Sequence, residues 1–200
     1  HHLAFTAFVL ATSAGAAWIP EMFHRSFHWT IPRVGVSFGM EVVIFGPIGA
    51  IVAGRLGDRL VRRGVIDGNM RVAFWITLLA IPVMTAAFLA PSGELSILVL
   101  AAGAAIMTAP FGIAAAALQQ IVPTGIRSQA SALYVMMLNV VGSATGPTLT
   151  AFLTERVFHR EDALNYSLLT VHIAALSIAA ILLWVGRPSF VRIADATRSR

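Results

Sequence analysis

The sequence predicts an all-α membrane protein with six transmembrane helices, and three observations lead to this fold class. Apolar residues make up 58% of the 200-residue chain and charged residues only 12%, about half the share of a soluble globular domain. Six stretches nearly free of Asp, Glu and Arg reach the roughly 20 residues that a helix needs to cross a bilayer. None alternates polar and apolar residues as the strands of a membrane β-barrel do. A soluble enzyme is therefore excluded, and the lack of cysteine excludes disulfide frameworks and thiolate metal sites.

The six stretches are taken as helices because only helices satisfy every backbone hydrogen bond within one segment in lipid. The first has no acidic or basic side chain other than histidine, and the second contains a single carboxylate, Glu41. The other four are free of internal charge. We expect helices at about 3–20, 34–54, 71–91, 95–121, 128–154 and 163–186, followed by a cytoplasmic tail over 187–200.

The positions of the arginines orient the chain in the membrane. Of the 14 basic residues, all of them arginine, ten lie in segments on one side and four on the other. An excess of basic residues marks the cytoplasmic side, so both ends of the chain are expected there. The same arginines account for the net charge of +5, and no nucleic-acid partner is predicted. The absence of lysine and the abundance of alanine favour a GC-rich bacterial genome, and a bacterial inner or plasma membrane is the expected location.

The densest group of charges lies between the second and third helices, in the segment Gly54-Arg55-Leu56-Gly57-Asp58-Arg59-Leu60-Val61-Arg62-Arg63. The orientation rule explains the arginines but not Asp58. The segment resembles the signature loop of the major facilitator superfamily, Gly-x-x-x-Asp-Arg/Lys-x-Gly-Arg/Lys-Arg/Lys, except that Val61 replaces the inner glycine. The resemblance implies a transporter of twelve helices in two halves, each half made of two inverted three-helix repeats. This chain then forms one six-helix half bundle.

A second correspondence lies in the fifth helix, Asn139-x-x-Gly142-x-x-x-Gly146-Pro147, whose small residues allow close helix packing. Residue 1 is not methionine, which favours the C-terminal half, with the N-terminal half absent. The stretches Trp18-Ile19-Pro20 and Gln119-Gln120-Ile121-Val122-Pro123 are similar to the spinster-like branch. Gly46-Pro47 and Gly146-Pro147 are positions that an inverted repeat would pair, with coincidence as the alternative.

The resemblance implies a secondary active transporter that works by alternating access on a small organic or amphipathic, lipid-like solute, coupled to protons or another ion. Its partners are the bilayer, the N-terminal half of the same polypeptide and the substrate. No cofactor or metal is expected. Asp58, with Arg59, Arg62 and Arg63, is expected to form a cytoplasmic latch with the start of the fifth helix near Arg127 and Ser128, because a carboxylate is stabilised at a helix N-terminus.

Five residues are candidates for binding the substrate or coupling its transport: Glu41, Asn139, Tyr134, Trp18 and Thr108. Glu41 lies roughly 10 Å below the end of its helix, at 1.5 Å per residue. On an ideal helix it lies opposite a stripe of small residues, Gly35, Gly39, Gly46, Ala50 and Gly54. The stripe is expected to pack against another helix while Glu41 faces a wet cavity or a polar group, since lipid exposure is costly. The alternative is a neutral, hydrogen-bonded acid inside the bundle.

Asn139 is predicted either to bind substrate or to form a helix-to-helix hydrogen bond. For His172, in the sixth helix, a structural or interfacial role is favoured over a proton relay.

Two other functions are considered. Gly35-Val36-Ser37-Phe38-Gly39 matches the Gly-x-Ser-x-Gly pattern of a nucleophile elbow, but that motif requires a strand-to-helix turn. A rhomboid-like intramembrane protease would use Ser37 and His172. A membrane protein that acts as a sensor or assembly partner without transporting is the third possibility. An enzyme is not predicted.

Overall fold

A computed structural model describes the backbone of residues 1–198 and the side chains of residues 1–196. Ser199 and Arg200, at the end of the predicted tail, lie outside the described residues. The described chain contains six long helices and no strand. They are α1 (His2–Phe27), α2 (Ile31–Arg62), α3 (Gly68–Phe88), α4 (Gly93–Ile121), α5 (Thr124–Phe158) and α6 (Leu164–Arg198). All six are long and apolar enough to cross a membrane, so the predicted all-α class is confirmed.

Several helices run beyond their predicted limits. α2 continues to Arg62, so most of the segment compared with the signature loop is helical. α6 continues past residue 186, so most of the predicted tail is helical as well. Charged side chains mark where a helix leaves the lipid. The helix itself continues beyond that point, because water solvates the charged side chains and the backbone hydrogen bonds are still formed. The turn that follows α2 contains Gly64 at φ +86°, a left-handed conformation that glycine adopts without steric cost.

The fifth helix is irregular. It begins with a 3₁₀ turn at Thr124–Ile126 and contains two π-helical segments, Leu138–Ser143 and Leu153–Phe158. Such segments widen the helix locally, and they are frequent at functional sites. The second one is followed by His159, whose φ of 52° reverses the chain towards α6.

The packing of the helices has an internal two-fold pattern. α2 packs mainly against α4, and α5 packs mainly against α1. In the same way α3 packs against α4 and α6 against α1, while α3 and α6 pack against each other. Exchanging α1–α3 with α4–α6 reproduces every one of these contacts. Successive spans run antiparallel, so α1 and α4 run in opposite directions and the two three-helix repeats are inverted.

Two helices are much less covered than the rest. Each helix contains an 18-residue apolar stretch that could cross the membrane. Of this stretch, 22% is buried in α2 and in α5, whereas 39–50% is buried in the other four helices. The two helices are equivalents in the inverted repeat. α2 and α5 are therefore the two helices that the described residues cover least.

Candidate functional site

The seam between α1 and α5 contains the small residues of the fifth helix. A Cβ atom added to Gly142 would lie 2.9 Å from Val9 Cγ1, and one added to Gly146 would lie 2.5 Å from Ser13 Oγ. The Ser13 hydroxyl is 3.2 Å from the carbonyl oxygen of Gly142. Both glycines are thus in direct contact with α1, and larger side chains would separate the helices.

Trp18, a predicted substrate residue, joins the same two helices. Its indole Nε1 donates a 3.0 Å hydrogen bond to the carbonyl oxygen of Pro147. The ring also borders a cavity of about 340 Å³ between α1, α5 and α6. Trp18 therefore has a structural contact besides any role in binding.

The equivalent seam joins α2 to α4. The Thr108 hydroxyl donates to the carbonyl oxygen of Gly46 at 2.8 Å, and a Cβ atom on Gly46 would lie 3.3 Å from Thr108 Cγ2. In both seams, a Gly-Pro pair contacts a hydroxyl side chain on the first helix of the other repeat. The pairing of Gly46-Pro47 with Gly146-Pro147 is thus a structural equivalence.

The predicted glycine stripe on α2 is partly wrong. Gly35, Gly39 and Gly54 have no other residue within 4 Å of an added Cβ atom, apart from adjoining backbone. The close contacts are at Gly46, which faces the Thr108 side chain, and at Gly49, where the Ala105 backbone of α4 leaves no space for a side chain. An ideal helical projection aligns residues by angle alone and does not show where the neighbouring helix approaches most closely.

Glu41 is buried, with 8% of its surface exposed. Its Oε2 atom has no hydrogen-bond partner within the described residues, so the predicted polar neighbour is not found among them. Burial of a carboxyl group without a partner is unfavourable. Glu41 therefore remains a candidate for a contact outside the described residues.

Asn139 and Tyr134 lie on different sides of α5. Asn139 is exposed, and its amide donates to the carbonyl oxygen of Val135 in its own helix at 2.9 Å. No helix-to-helix hydrogen bond of Asn139 is therefore found among the described residues. Tyr134 is buried against the start of α1, with ring centroids 5.4 Å from His1 and 6.4 Å from Phe5.

A cavity of about 420 Å³ lies between α1, α2 and α4. Apolar side chains such as Phe38, Leu100 and Met107 form most of its wall, and His172 reaches it from α6. Only 1% of His172 is exposed, and its Nε2 atom has no hydrogen-bond partner within residues 1–196. Sequence reasoning assigned His172 no part in binding, because the sixth helix is peripheral in the resembled family.

At the basic end of the bundle, where α2 ends and α5 begins, the predicted latch is not formed among the described residues. Asp58 is exposed and has no hydrogen bond or ion pair among the described side chains. Arg127 instead donates to the carbonyl oxygen of Val122 at 3.2 Å. The physical reason is the packing order: α2 packs on α3 and α4, whereas α5 packs on α1.

The acidic residue that is paired at this end is Asp67, immediately before α3. Arg187 Nε on α6 lies 2.7 Å from Asp67 Oδ2, and Arg71 Nε lies 2.9 Å from Oδ1. Asp67 is 3% exposed. Sequence reasoning missed this cluster. The spacing of Asp67 and Arg71 was a visible signal, but Arg187 is 120 residues away in sequence.

The opposite end carries its own ion pairs. Arg25 Nε contacts Glu21 at 2.6 Å, and Arg33 Nη2 contacts Glu94 at 3.1 Å. The hydrogen bond to Asp162 raises the pKa of the fully exposed Arg160 guanidinium. These contacts lie at the ends of the helices rather than in the interior of the bundle.

The serine protease alternative requires a hydrogen bond between the Ser37 hydroxyl and the His172 ring. The described side chains do not form this bond. Ser37 makes no hydrogen bond, and the Nδ1 atom of His172 lies 2.9 Å from the carbonyl oxygen of Leu168. No group of three or more His, Cys, Asp or Glu side chains that could hold a metal occurs among the described residues.

Comparison with known proteins agrees with this architecture. No family model matches the chain. It is 29% identical over 197 residues to an MFS-type efflux pump of Mycolicibacterium smegmatis, covering 95% of this chain and 44% of that protein. The solved structure of a bacterial homologue of the human lysosomal transporter Spinster, inward-facing and unoccupied, matches with a TM-score of 0.63 at 14% identity. That match covers 99% of this chain and 48% of the other.

The chain is thus an integral multi-pass membrane protein with the fold of one half of a major facilitator transporter. The resemblance to the major facilitator superfamily is confirmed, including the likeness to a spinster homologue in structure. The chain spans about half the length of the relatives that it matches.

Proposed function

We propose that this chain is one six-helix half, predicted above to be the C-terminal one, of a secondary active transporter that works by alternating access. The observation that carries the proposal is the low burial of both α2 and α5. These two helices occupy equivalent positions in the inverted repeat, and both are apolar yet little buried. A second half bundle packed there would enclose a path between the two halves, and rocking of the halves would open it to each side in turn.

We propose a small organic or amphipathic, lipid-like solute as the substrate, with coupling to protons or another ion. The apolar lining of the cavity beside α2 supports this class, and the similarity to an MFS-type efflux pump supports a transporter. We also propose a bacterial inner membrane location with both ends of the chain in the cytoplasm, and no enzymatic activity.

Alternating access has a test that requires no known substrate. Val43 is 73% exposed on the uncovered side of α2, and the chain has no cysteine of its own. In the full-length protein, free of other cysteines, a membrane-impermeant maleimide should label Val43→Cys from either side of sealed vesicles. Ile181→Cys on α6, which faces lipid in this proposal, should stay unlabelled from both sides. Labelling of Val43→Cys from one side only, or not at all, contradicts alternating access.

Glu41 is proposed to contribute to substrate binding or coupling, because its buried carboxyl oxygen lacks a partner in the described residues. Glu41→Gln is expected to alter substrate binding or its dependence on pH in the full-length protein. Unchanged binding and an unchanged pH profile would remove Glu41 from the site.

The latch is proposed to form between Asp58 and the other half, because Asp58 has no partner among the described side chains of this one. Asp58→Asn is expected to change the transport rate and the ratio of inward to outward accessibility at Val43→Cys. If both stay at the values of the parent protein, Asp58 is not a latch.

A further inference from the structure

An apolar groove lies between α3 and α6 on the outside of the bundle. Its volume is about 520 Å³, and residues such as Phe74, Leu78 and Ile81 of α3 and Ile181 of α6 form its wall. From Phe74 to Ile81 the groove follows α3 for about 10 Å, at 1.5 Å per residue. The second half is proposed to pack on α2 and α5, so this groove faces lipid. Its shape and lining suit part of a hydrocarbon chain.

Two tryptophans mark the end of the groove that is nearer the basic end of the bundle. Trp75 of α3 is 62% exposed and Trp184 of α6 is 52% exposed, and both line the groove. The Phe74 ring joins the two helices there, with its centroid 5.0 Å from that of Trp184. Tryptophan is enriched where the hydrocarbon of a membrane meets water. This end of the groove is therefore at the level of the lipid headgroups.

The buried cluster around Asp67 lies at the same end of the groove. The guanidinium carbon of Arg187 is 4.6 Å from the centroid of the Trp184 ring. Arg71 lies four residues before Trp75, and residues at this spacing share one face of a helix. Both arginines pair with Asp67, and two guanidinium groups against one carboxylate leave the cluster with a net positive charge.

Both arginines keep hydrogen-bond donors that Asp67 does not use. Arg71 and Arg187 each contact Asp67 through Nε, at 2.9 and 2.7 Å. The other four of the five N–H groups of a guanidinium are on its Nη atoms. The Asp67 side chain is 5% exposed, whereas that of Arg71 is 46% exposed. A molecule that approaches from outside thus meets the guanidinium group and not the carboxylate.

We infer that the groove binds an anionic phospholipid of the leaflet at the basic end. One acyl chain lies between α3 and α6, and the phosphate group accepts hydrogen bonds from the Nη groups of Arg71 and Arg187, as phosphates commonly do from arginine. Charge complementarity favours this occupant over a second copy of the chain. A copy in the same orientation would bring an identical, positively charged cluster to the same side of the membrane.

The test compares two lipids that have the same acyl chains. Native mass spectrometry of the full-length protein measures the binding of dioleoylphosphatidylglycerol and of dioleoylphosphatidylcholine, each titrated separately. The first lipid is anionic and the second is zwitterionic. The parent protein should bind the phosphatidylglycerol about fivefold more tightly, because an arginine near the membrane surface contributes about 1 kcal/mol to the attraction of anionic lipids.

One pair of variants tests the headgroup site. Arg71→Gln removes one positive charge and leaves the buried pair of Asp67 with Arg187, so the two lipids should bind within about twofold of each other. Arg192→Gln is the matched control. Arg192 is also exposed at the basic end of α6, but it lies five residues after Arg187 and so about 140° around the helix. This control should keep the fivefold preference.

A second pair tests the groove itself and does not depend on the arginines. Ser177→Phe places a ring in the groove and should lower the affinity for both lipids at least about twofold. Ile178→Phe is the control, because Ile178 is 52% exposed on α6 but does not line the groove. It should leave both affinities unchanged.

Equal binding of the two lipids to the parent protein overturns the inference. Equal losses in Arg71→Gln and Arg192→Gln also overturn it, because they would indicate general attraction to a basic surface. If Ser177→Phe converts a dimer to a monomer in the same spectra and leaves lipid binding unchanged, a second copy occupies the groove instead. Binding is measured without transport. One-sided labelling of Val43→Cys together with a positive result here would therefore reject alternating access and keep the lipid site.

Discussion

The buried cluster around Asp67 should be the main electrostatic contact that holds α3 to α6 at the basic end. The substitution that tests it is Asp67→Asn, which keeps the side-chain shape and removes the charge. Arg187 would then be left with 18% side-chain exposure and with the Trp184 ring, whose centroid lies 4.6 Å from its guanidinium carbon. A buried cation without its counter-ion is costly.

The magnitude follows from the geometry. A hydrogen bond to a charged group contributes about 1.5–3 kcal/mol, and breaking a fully buried pair costs about 3–5 kcal/mol. Arg187 is partly exposed, and the asparagine oxygen still accepts one hydrogen bond. We therefore expect Asp67→Asn to lower the free energy of unfolding by about 2–3 kcal/mol.

The control is Glu94→Gln at the opposite end. Its pair with Arg33 has a distance of 3.1 Å, but the two side chains are 67% and 52% exposed. Exposed pairs contribute at most about 1 kcal/mol. Reversible unfolding of the full-length protein in detergent micelles, followed by denaturant titration, measures both variants. If Asp67→Asn costs no more than Glu94→Gln, the burial argument is wrong. The effect of Asp67→Asn should also change little with added salt, because buried pairs are weakly screened.

Two further predictions concern the helix seams. Gly49→Ala should reduce the yield of folded protein and lower the free energy of unfolding by at least about 2 kcal/mol, because the Ala105 backbone occupies the space of the added methyl group. Gly112→Ala, where the added atom meets nothing within 4 Å, should instead stabilise by up to about 1 kcal/mol; equal effects in the same titration would contradict the seam. Trp18→Phe should cost about 1 kcal/mol by removing the bond to the Pro147 carbonyl. Trp75→Phe, at a ring that is 62% exposed, should cost less, and no difference between the two would show that the bond contributes nothing.

Much of the fold was predictable because lipid imposes a simple rule on the chain. Each span must be apolar for about 20 residues, so charge-poor stretches identify the helices. Helix ends were less predictable. The charged residues between Gly54 and Arg62 lie outside the lipid but are still helical. The turn at Gly64, and not the first charge, therefore decides where α2 ends.

The candidate site was predicted less completely. Asn139 and Glu41 are identified from the sequence because they are polar residues within apolar spans. Their neighbours depend on which helices pack together, and the sequence does not show this. Asn139 bonds to its own helix, and Glu41 finds no partner for its Oε2 within the described residues. The sequence does not place His172 at the wall of the cavity between α1, α2 and α4, because His172 is the lining residue that α6 contributes to that cavity.

The sequence by itself determined the membrane class, the number of spans, the resemblance carried by Gly54 and Asp58, and the close packing of the fifth helix at Gly142 and Gly146. These properties depend on local composition and on spacing within one helix. The tertiary structure alone decided which contacts form. Asp67 pairs with Arg187, the Thr108 hydroxyl donates to the Gly46 carbonyl oxygen, and Asp58 is exposed. Contacts between distant residues depend on the order in which the helices pack, and that order comes from the inverted repeat as a whole rather than from any single segment.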